Sequence, residues 1–200
     1  MKKLIYLISP EKIDNNFYYN LTKVLSTKKI KFLQLRLKKT KKNKVFKIAK
    51  KVKRITKKFN VKLIINDSPE IAKKVNADGC HLGQLDTDIS KAKKILKKKI
   101  IGVTCHGSIK LVNEAIKDKP SYIAVGSFYK SKLKPKAKKA NIKIIKKIRK
   151  RTKIPVVAIG GINDKNYKKL TRKGANYIAI SSFIWNNPFL KPEIAIKKFI

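Results

Sequence analysis

Acidic residues are scarce in this chain of 200 residues, which has 11 Asp and Glu against 53 Lys and Arg and a formal net charge of +42. Cysteine is scarcer still, with two residues, and this excludes a disulfide framework and a cysteine-rich zinc site. Cys80 and Cys105 each lie in an apolar run. We therefore expect two small buried side chains there.

Long apolar runs are also missing, and none approaches the length of a membrane-spanning helix. The start of the chain imitates a signal peptide, but its apolar run Leu4–Ile8 is too short and is followed at once by Pro10 and Glu11. We expect a cytoplasmic protein with no membrane partner. The sequence leaves open whether the chain forms a homo-oligomer. An apolar fraction of 42% is enough for a full core, which argues against disorder.

The lysines are spread over nearly every segment instead of forming one basic tail or face. In the stretch from Asn43 to Phe59, apolar residues recur at helical spacing and the lysines fall between them. This pattern is typical of the polar faces of amphipathic helices, so we do not expect nucleic-acid binding, which usually needs clustered charge. A basic nucleic-acid-binding module remains as an alternative. In either case the positive surface attracts anionic small molecules.

Strand-like and helix-like segments alternate along the whole chain. The predicted strands are Lys3–Ile8, Ile30–Arg36, Val61–Ile65, Gly79–Leu82, Lys99–Thr104, Tyr122–Val125, Val156–Ile159 and Tyr177–Ile180. Predicted helices between and after them include Asn15–Leu25, Asn43–Phe59, Pro69–Val75, Ser108–Lys117, Ile142–Arg151, Lys165–Arg172 and Pro188–Ile200. Eight strands alternating with eight helical segments predict a single-domain (β/α)8 TIM barrel over residues 1–200, with a doubly wound open sheet as the alternative.

Polar residues stand where several predicted strands end, which is where barrel enzymes place their reacting groups. In "QLRLK", alternation puts Gln34, Arg36 and Lys38 on one side of an extended chain, a set that suits an anion with several oxygens. Asp67 follows the third strand and Asp86 follows the fourth, and two carboxylates from adjacent strands can hold one Mg²⁺. His81 lies within a buried run, and we interpret it as a hydrogen-bonded core histidine.

The later strands end in residues that suit phosphate. Gly160-Gly161 follows the seventh strand and lets backbone N–H groups approach a ligand closely. The eighth strand ends at Ile180 and Ser181, and barrel enzymes frequently bind phosphate between the loops after strands seven and eight. Two anion sites with a cation between them predict two phosphorylated substrates or one bisphosphate.

The motifs "QLRLK", "IINDSPEIA", "ADGCHLGQLD", "IGVTCH", "YIAVGSFYKSKLK", "IPVVAIGGI" and "GANYIAISSFI" resemble, in order and spacing, the thiamine-phosphate synthase family. That family joins 4-amino-5-hydroxymethyl-2-methylpyrimidine diphosphate to 4-methyl-5-(2-phosphoethyl)thiazole, giving thiamine phosphate and diphosphate. The resemblance implies that Asp67 and Asp86 bind Mg²⁺. It also implies a site for the pyrimidine diphosphate, made of Gln34, Arg36, Lys38, Asn66, Thr104 and Lys134. Within this site, the catalytic residues would be Arg36, Lys38, Thr104 and Lys134. The thiazole phosphate would lie against Ser131, Leu133, Gly161, Ile180 and Ser181.

The chain departs from the family pattern at two positions. Leu133 stands where the family usually has a second threonine, so one hydroxyl contact to the thiazole phosphate is lost. Thr104 stands where serine is usual and keeps the hydroxyl. A thiazole tautomerase-like protein is the other alternative, but that relative characteristically lacks the metal motif, and Asp67 and Asp86 are both present here.

Overall fold

The structure is a computed structural model, and it describes residues 4–130 and 138–199. Eight parallel strands close into a barrel in the order β1 to β8, which confirms the (β/α)8 prediction and rules out an open sheet. The strands are β1 Ile5–Ile8, β2 Ile30–Leu35, β3 Lys62–Asn66, β4 Gly79–Leu82, β5 Ile100–Thr104, β6 Tyr122–Gly126, β7 Val156–Ile159 and β8 Tyr177–Ile180.

The helices of the described residues surround this barrel. They are α1 Asn15–Ser26, α2 Lys42–Lys58, α3 Pro69–Lys74, α4 Ile89–Leu96, α5 Ile109–Lys117, α6 Lys143–Arg149, α7 Tyr167–Arg172, α8 Ser182–Trp185 and α9 Pro192–Lys197. The ranges predicted from the sequence omit α4 and α8, and the last helix begins at Pro192 and not at Pro188. The other predicted elements differ from the observed ones by at most a few residues at their ends.

Alternation along each strand separates two apolar cores. In β1, Ile5 and Leu7 pack outward against the helices, whereas Tyr6 and Ile8 point into the barrel. The outer core is the larger, and the inner one is a small cluster of Tyr6, Ile8, Phe32, Ile64, Tyr122, Ala124, Val157 and Ala179. This division follows from the two-residue period of a strand. It leaves the inner cluster directly beneath the carboxyl ends of the strands.

The lysine-rich helices present an apolar stripe to the barrel and their lysines to the outside. In α2, the buried residues are Ile48, Ala49, Val52 and Thr56, and in α6 they are Ile144, Ile145 and Ile148. Side chains three or four positions apart lie on one helix face, so these stripes follow from the sequence period. The lysine-rich composition therefore belongs to the outer surface of the helical ring.

Candidate active site

A cavity of about 1070 Å³ opens at the carboxyl ends of the strands. This volume lies at the upper end of the range for small-molecule sites, and it is large enough for two substrates. Predicted site residues that line it are Gln34, Arg36, Lys38, Asn66, Asp67, Asp86, Thr104, Gly161, Ile180 and Ser181. Ser131, Leu133 and Lys134 fall outside the described residues. The structure thus brings together the predicted site residues that it describes.

The end of β2 supplies the positive side of the cavity. Gln34, Arg36 and Lys38 line the cavity, while Leu35 and Leu37 are buried in the outer core, as alternation predicts. The backbone N–H of Arg36 donates to Ser9 Oγ over 3.0 Å, which fixes the chain just beyond the strand. Arg36 Nη1 lies 3.6 Å from Glu11 Oε1. The guanidinium and ammonium groups are thereby presented to the same space.

Asp67 is held by a sharp change of direction after β3. Its φ is 66°, in the left-handed region that Asp and Asn tolerate better than most residues. Its backbone N–H donates to the carbonyl of His81 over 2.8 Å, and the next residue, Ser68, caps α3 by accepting from the N–H of Ile71. The carboxylate is therefore placed by the turn that joins the strand to the helix.

Asp86 faces Asp67 from the loop after β4. Its Oδ2 accepts a hydrogen bond from the N–H of Gly83 over 2.6 Å, so a tight loop holds the carboxylate. Burial, and then the neighbouring Asp86 carboxyl, raise the pKa of Asp67 above its usual range. Lys38 Nζ lies 3.2 Å from Asp67 Oδ2 and partly offsets this. Two close carboxylates that disfavour each other's charge are a suitable place for a cation.

The protein offers few other ligands for a metal. Among residues 4–130 and 138–199, no group of three or more His, Cys, Asp or Glu is arranged to hold a metal ion. Mg²⁺ typically takes one or two protein carboxylates and completes its shell with water and phosphate oxygens. The Asp67–Asp86 pair fits this pattern, because it supplies the carboxylates and leaves the remaining positions to a bound substrate.

His81 is a hydrogen-bonded core residue, as the sequence predicted. Its Nδ1 lies 3.0 Å from the hydroxyl of Tyr122, and its Nε2 lies 2.7 Å from Oγ1 of Thr104. The Tyr122 hydroxyl in turn lies 2.7 Å from the hydroxyl of Tyr6. Thr104 is therefore tied to a chain of buried polar groups that crosses the barrel.

Sequence reasoning missed three residues around Thr104. Tyr6 and Tyr122 read as strand aromatics, and their hydroxyls meet across 116 positions of sequence, which no local pattern predicts. Gln84 lies within the quoted motif "HLGQLD", and its Nε2 donates to the carbonyl of Thr104 over 2.5 Å. Of the three, only Gln84 could have been predicted from the motif, since it stands between Gly83 and Asp86.

The opposite side of the cavity is built from backbone. Gly160 and Gly161 have φ of 103° and 62°, and a Cβ at Gly161 would lie 2.3 Å from the carbonyl oxygen of Lys130. Only glycine fits this approach, and its backbone is open to the cavity. Ser181 donates from Oγ to the carbonyl of Ser9 over 3.2 Å and begins the short helix α8. Barrel enzymes use this corner, with a short extra helix, for phosphate.

The two cysteines are not candidate nucleophiles. Cys80 and Cys105 are both buried, as expected from the sequence. Burial raises the pKa of both thiols, to about 12 for Cys105. A cysteine nucleophile acts as the thiolate, so these side chains serve packing.

In the part of the chain that the structure describes, no helix is long and apolar enough to cross a membrane.

Comparison with known proteins identifies the family of this chain. The family model described as thiamine monophosphate synthase matches residues 5–184. The chain is 57% identical over 199 residues to a thiamine-phosphate synthase from Pelagibacter ubique, covering 98% of this chain and 96% of that protein. A thiamine-phosphate synthase from Clostridium acetobutylicum is 34% identical over 195 residues, with coverage of 96% and 92%.

A solved structure gives the same result for the fold. The thiamine phosphate pyrophosphorylase from Pyrococcus furiosus superimposes with a TM-score of 0.87 at 27% sequence identity, covering 98% of this chain and 93% of that one. Sequence, barrel topology and the extent of the match agree over nearly the full length of the chain. This chain therefore belongs to the thiamine-phosphate synthase family, the transferases of thiamine biosynthesis.

Proposed function

We propose that this protein joins 4-amino-5-hydroxymethyl-2-methylpyrimidine diphosphate to 4-methyl-5-(2-phosphoethyl)thiazole in the cavity at the carboxyl ends of the strands, releasing diphosphate. One observation carries the proposal: the cationic groups of Arg36 and Lys38 line the same cavity as the close pair Asp67 and Asp86. Cations alone would suit any anion. Cations beside two carboxylates suit an anion that arrives with a metal ion, as a diphosphate does.

Asp67 and Asp86 would hold Mg²⁺, and the donor set fits that ion for the reasons given above. When bound, Mg²⁺ neutralises the negative charge that develops on a departing diphosphate. The partly buried carboxylates favour such an ion, because a positive charge relieves the repulsion that raises the Asp67 pKa. Lys38, which contacts Asp67 over 3.2 Å, is close enough to turn to the phosphate oxygens instead.

The residues on β2, β3 and β5 would bind and orient the diphosphate. Arg36 presents a guanidinium that can contact two phosphate oxygens, and Lys38 adds a point charge. Asn66 and Thr104 add neutral donors at the ends of β3 and β5. Once they contact the diphosphate, these groups would stabilise the charge that develops on the leaving oxygens. Lys134, outside the described residues, is proposed to contact the same diphosphate.

The opposite side of the cavity would hold the thiazole phosphate. Gly161, Ile180 and Ser181 line that side, and the predicted partners Ser131 and Leu133 lie outside the described residues. The thiazole nitrogen attacks the pyrimidine methylene as diphosphate departs, and this step needs position more than a strong base. The cavity supports this requirement, since Arg36 and Lys38 line it and are suited to holding an anion in place.

The experiment is to incubate the purified protein with both substrates and Mg²⁺ and to detect thiamine phosphate by mass spectrometry. Asp86→Asn should lose most of the Mg²⁺-dependent turnover. Asp88→Asn is the matched control, because the Asp88 side chain is 72% exposed and forms an ion pair with the equally exposed Lys91 over 3.7 Å. Full activity in EDTA, or equal effects of the two substitutions, would remove the metal site from the proposal.

The same experiment separates the alternatives. A thiazole tautomerase would isomerise a thiazole carboxylate phosphate and would make no thiamine phosphate. A nucleic-acid-binding module would bind RNA tightly with a steep dependence on salt and would show no turnover. The Asp67–Asp86 pair favours the synthase over both, since neither alternative has a use for two facing carboxylates.

A further inference from the structure

A chain of buried polar side chains crosses the interior of the barrel and ends at the active-site cavity. Tyr6 on β1 contacts Tyr122 on β6 over 2.7 Å, Tyr122 contacts His81 Nδ1 on β4 over 3.0 Å, and His81 Nε2 contacts Thr104 Oγ1 on β5 over 2.7 Å. At the other end, Gln34 on β2 is a further buried polar side chain near Tyr6. The metal site and the anion contacts proposed above make no use of the Tyr6–Tyr122–His81 part of this chain.

The chain is built into the core. Tyr6 and Tyr122 are each 2% exposed, and the rings of His81 and Tyr122 lie nearly parallel, with centroids 5.7 Å apart. A Cβ at Gly102 would lie 1.9 Å from Cζ of Tyr122, so glycine at this position makes room for the phenol. Gln34 is 3% exposed. Buried polar groups of this kind are held in one arrangement because an unpaired one would be costly.

Hydrogen-bond chemistry leaves the chain two possible directions. Each phenol has one proton to donate, and burial raises the pKa of both Tyr6 and Tyr122, so both keep it. In one direction, Thr104 donates to His81 and each further hydrogen bond is donated toward Tyr6. In the other, Tyr6 donates to Tyr122, and Tyr122 donates to Nδ1 of His81. The neutral imidazole then carries its proton on Nε2 and donates it to Thr104.

The end of the chain at the cavity selects the second direction. Thr104 lines the cavity, and a hydroxyl that faces a diphosphate must donate its proton to it. If Thr104 donated to His81, its lone pairs would face the anion instead. We propose that His81, held in its Nε2–H form by Tyr122, is a positioning residue that makes the Thr104 hydroxyl a donor to bound diphosphate, and that Tyr6 supports this direction by donating to Tyr122. The inference rests on the proposed function for the identity of the anion.

The direction of the chain can be measured without turnover. His81 and His106 are the two histidines of the chain, so ¹⁵N-histidine NMR of wild type and of His106→Asn assigns the His81 signals. We expect the Nε2–H tautomer in wild type and a mixture of tautomers in Tyr122→Phe. An Nδ1–H tautomer or an imidazolium in the wild-type protein would overturn the proposal, whether or not the protein makes thiamine phosphate.

A double-substitution cycle tests whether the chain acts through Thr104. The dissociation constant for inorganic diphosphate with Mg²⁺ is measured calorimetrically in wild type, Tyr122→Phe, Thr104→Val and the double variant. Tyr122→Phe should weaken binding by about tenfold in the wild-type background, which is the low end for a hydrogen bond to a charged group. It should have almost no further effect beside Thr104→Val. Equal losses in both backgrounds would mean that Tyr122 serves packing alone.

Two further variants keep the test informative if Tyr122→Phe folds poorly. A glutamine at position 81 can place its amide N–H near the position of Nε2, whereas the shorter asparagine cannot. His81→Gln should therefore retain more diphosphate affinity than His81→Asn, with melting temperatures of both variants measured to separate folding from binding. Equal affinities in two folded variants would contradict the role assigned to the Nε2 proton.

Discussion

Lys38 Nζ lies 3.2 Å from Asp67 Oδ2, at the rim where β2 and β3 end side by side. One residue was predicted to bind the diphosphate and the other the metal ion, and the structure pairs them directly. In the absence of ligands, the ammonium thus offsets part of the charge that the two carboxylates bring together. The substrate and its cation would separate this pair and provide each member with a new partner.

The first prediction concerns Lys38. Lys38→Gln should lower kcat/KM for the pyrimidine diphosphate roughly tenfold to a hundredfold, because a hydrogen bond to a charged group contributes about 1.5–3 kcal/mol. Lys39→Gln is the control, since Lys39 is exposed and does not line the cavity. Steady-state kinetics at saturating thiazole phosphate measures both. Similar losses in the two variants would indicate general attraction of anions and not a contact made by Lys38.

The second prediction concerns Asp67 and pH. Burial, followed by the Asp86 carboxyl, raises the folded-state pKa of Asp67 above the value of about 3.9 that an unfolded chain gives. The folded protein therefore holds this proton more tightly than the unfolded one. Stability contributed by the protonated form is present below pH 3.9 and is lost as the pH rises through the raised pKa.

Asp67→Asn has no proton to lose, and asparagine tolerates the φ of 66° at this position. At neutral pH and without ligands, the variant should melt a few degrees above wild type while losing Mg²⁺-dependent turnover. The difference should shrink toward pH 3.9. Calorimetric melting temperatures across this pH range provide the measurement. A variant less stable than wild type at neutral pH would show that the carboxylate is not strained by its surroundings.

The third prediction concerns Asp78, at the opposite end of the barrel. Burial alone would raise its pKa, but a hydrogen bond from Lys53, the N–H of Leu63 and the charge of Lys62 outweigh this and lower it. Stability from these contacts is present above the ordinary pKa of about 3.9 and is lost as the pH falls through the lowered value. Acid should therefore weaken this end of the barrel.

Asp78→Asn should lower the free energy of unfolding by about 1–3 kcal/mol at neutral pH, the usual range for losing a charged partner in a part-buried site. Turnover should be unchanged, because Asp78 lies far from the cavity lining. Asp118→Asn, at an exposed position, is the control. Urea denaturation at pH 7 and activity at a temperature below the transition test both parts. A loss of activity in folded Asp78→Asn would contradict the view that this end of the barrel contributes to stability and not to the reaction.

The fourth prediction concerns Leu133 and rests on the sequence, since this residue lies outside the described ranges. Leu133→Thr should lower KM for the thiazole phosphate roughly tenfold to a hundredfold, because a hydroxyl contact to a charged group is regained. We expect kcat to stay within a few-fold and the salt dependence of KM to weaken. KM for the pyrimidine diphosphate is the internal control. An unchanged KM for the thiazole phosphate at every salt concentration would mean that Leu133 does not face it.

The strands and most helices could be predicted because their apolar periods are strong, but α4 and α8 were omitted and the start of the last helix was wrong. Pro188 was taken as the start of the last helix, whereas Oδ1 of Asn187 accepts from the N–H groups of Phe189 and Leu190 and forms a turn there. Pro192, which also suits a first helical position, begins α9. Helix α8 has four residues, too few for any period to be detected.

The site residues also differ in how well local sequence patterns predict them. Gln34, Arg36, Lys38, Asp67 and Asp86 stand at strand ends that local patterns locate, so their convergence follows from the barrel itself. The contact between Tyr6 and Tyr122 depends on two strands meeting across the interior of a closed barrel, and Gly102 makes room for it. No spacing within either strand carries that information. The sequence therefore predicts the rim of the site better than the floor beneath it.

The lysine-rich stripes on the outer helices affect which positions of this protein can accept substitutions during evolution. Helices such as α2 and α6 meet the barrel through a few apolar residues, and their remaining positions face away from the chemistry. A shift in genomic base composition can therefore replace these outer residues in large numbers while the reacting groups stay where the strands put them. The outer faces of the helices can therefore vary in composition more freely than the strand ends that carry the reacting groups.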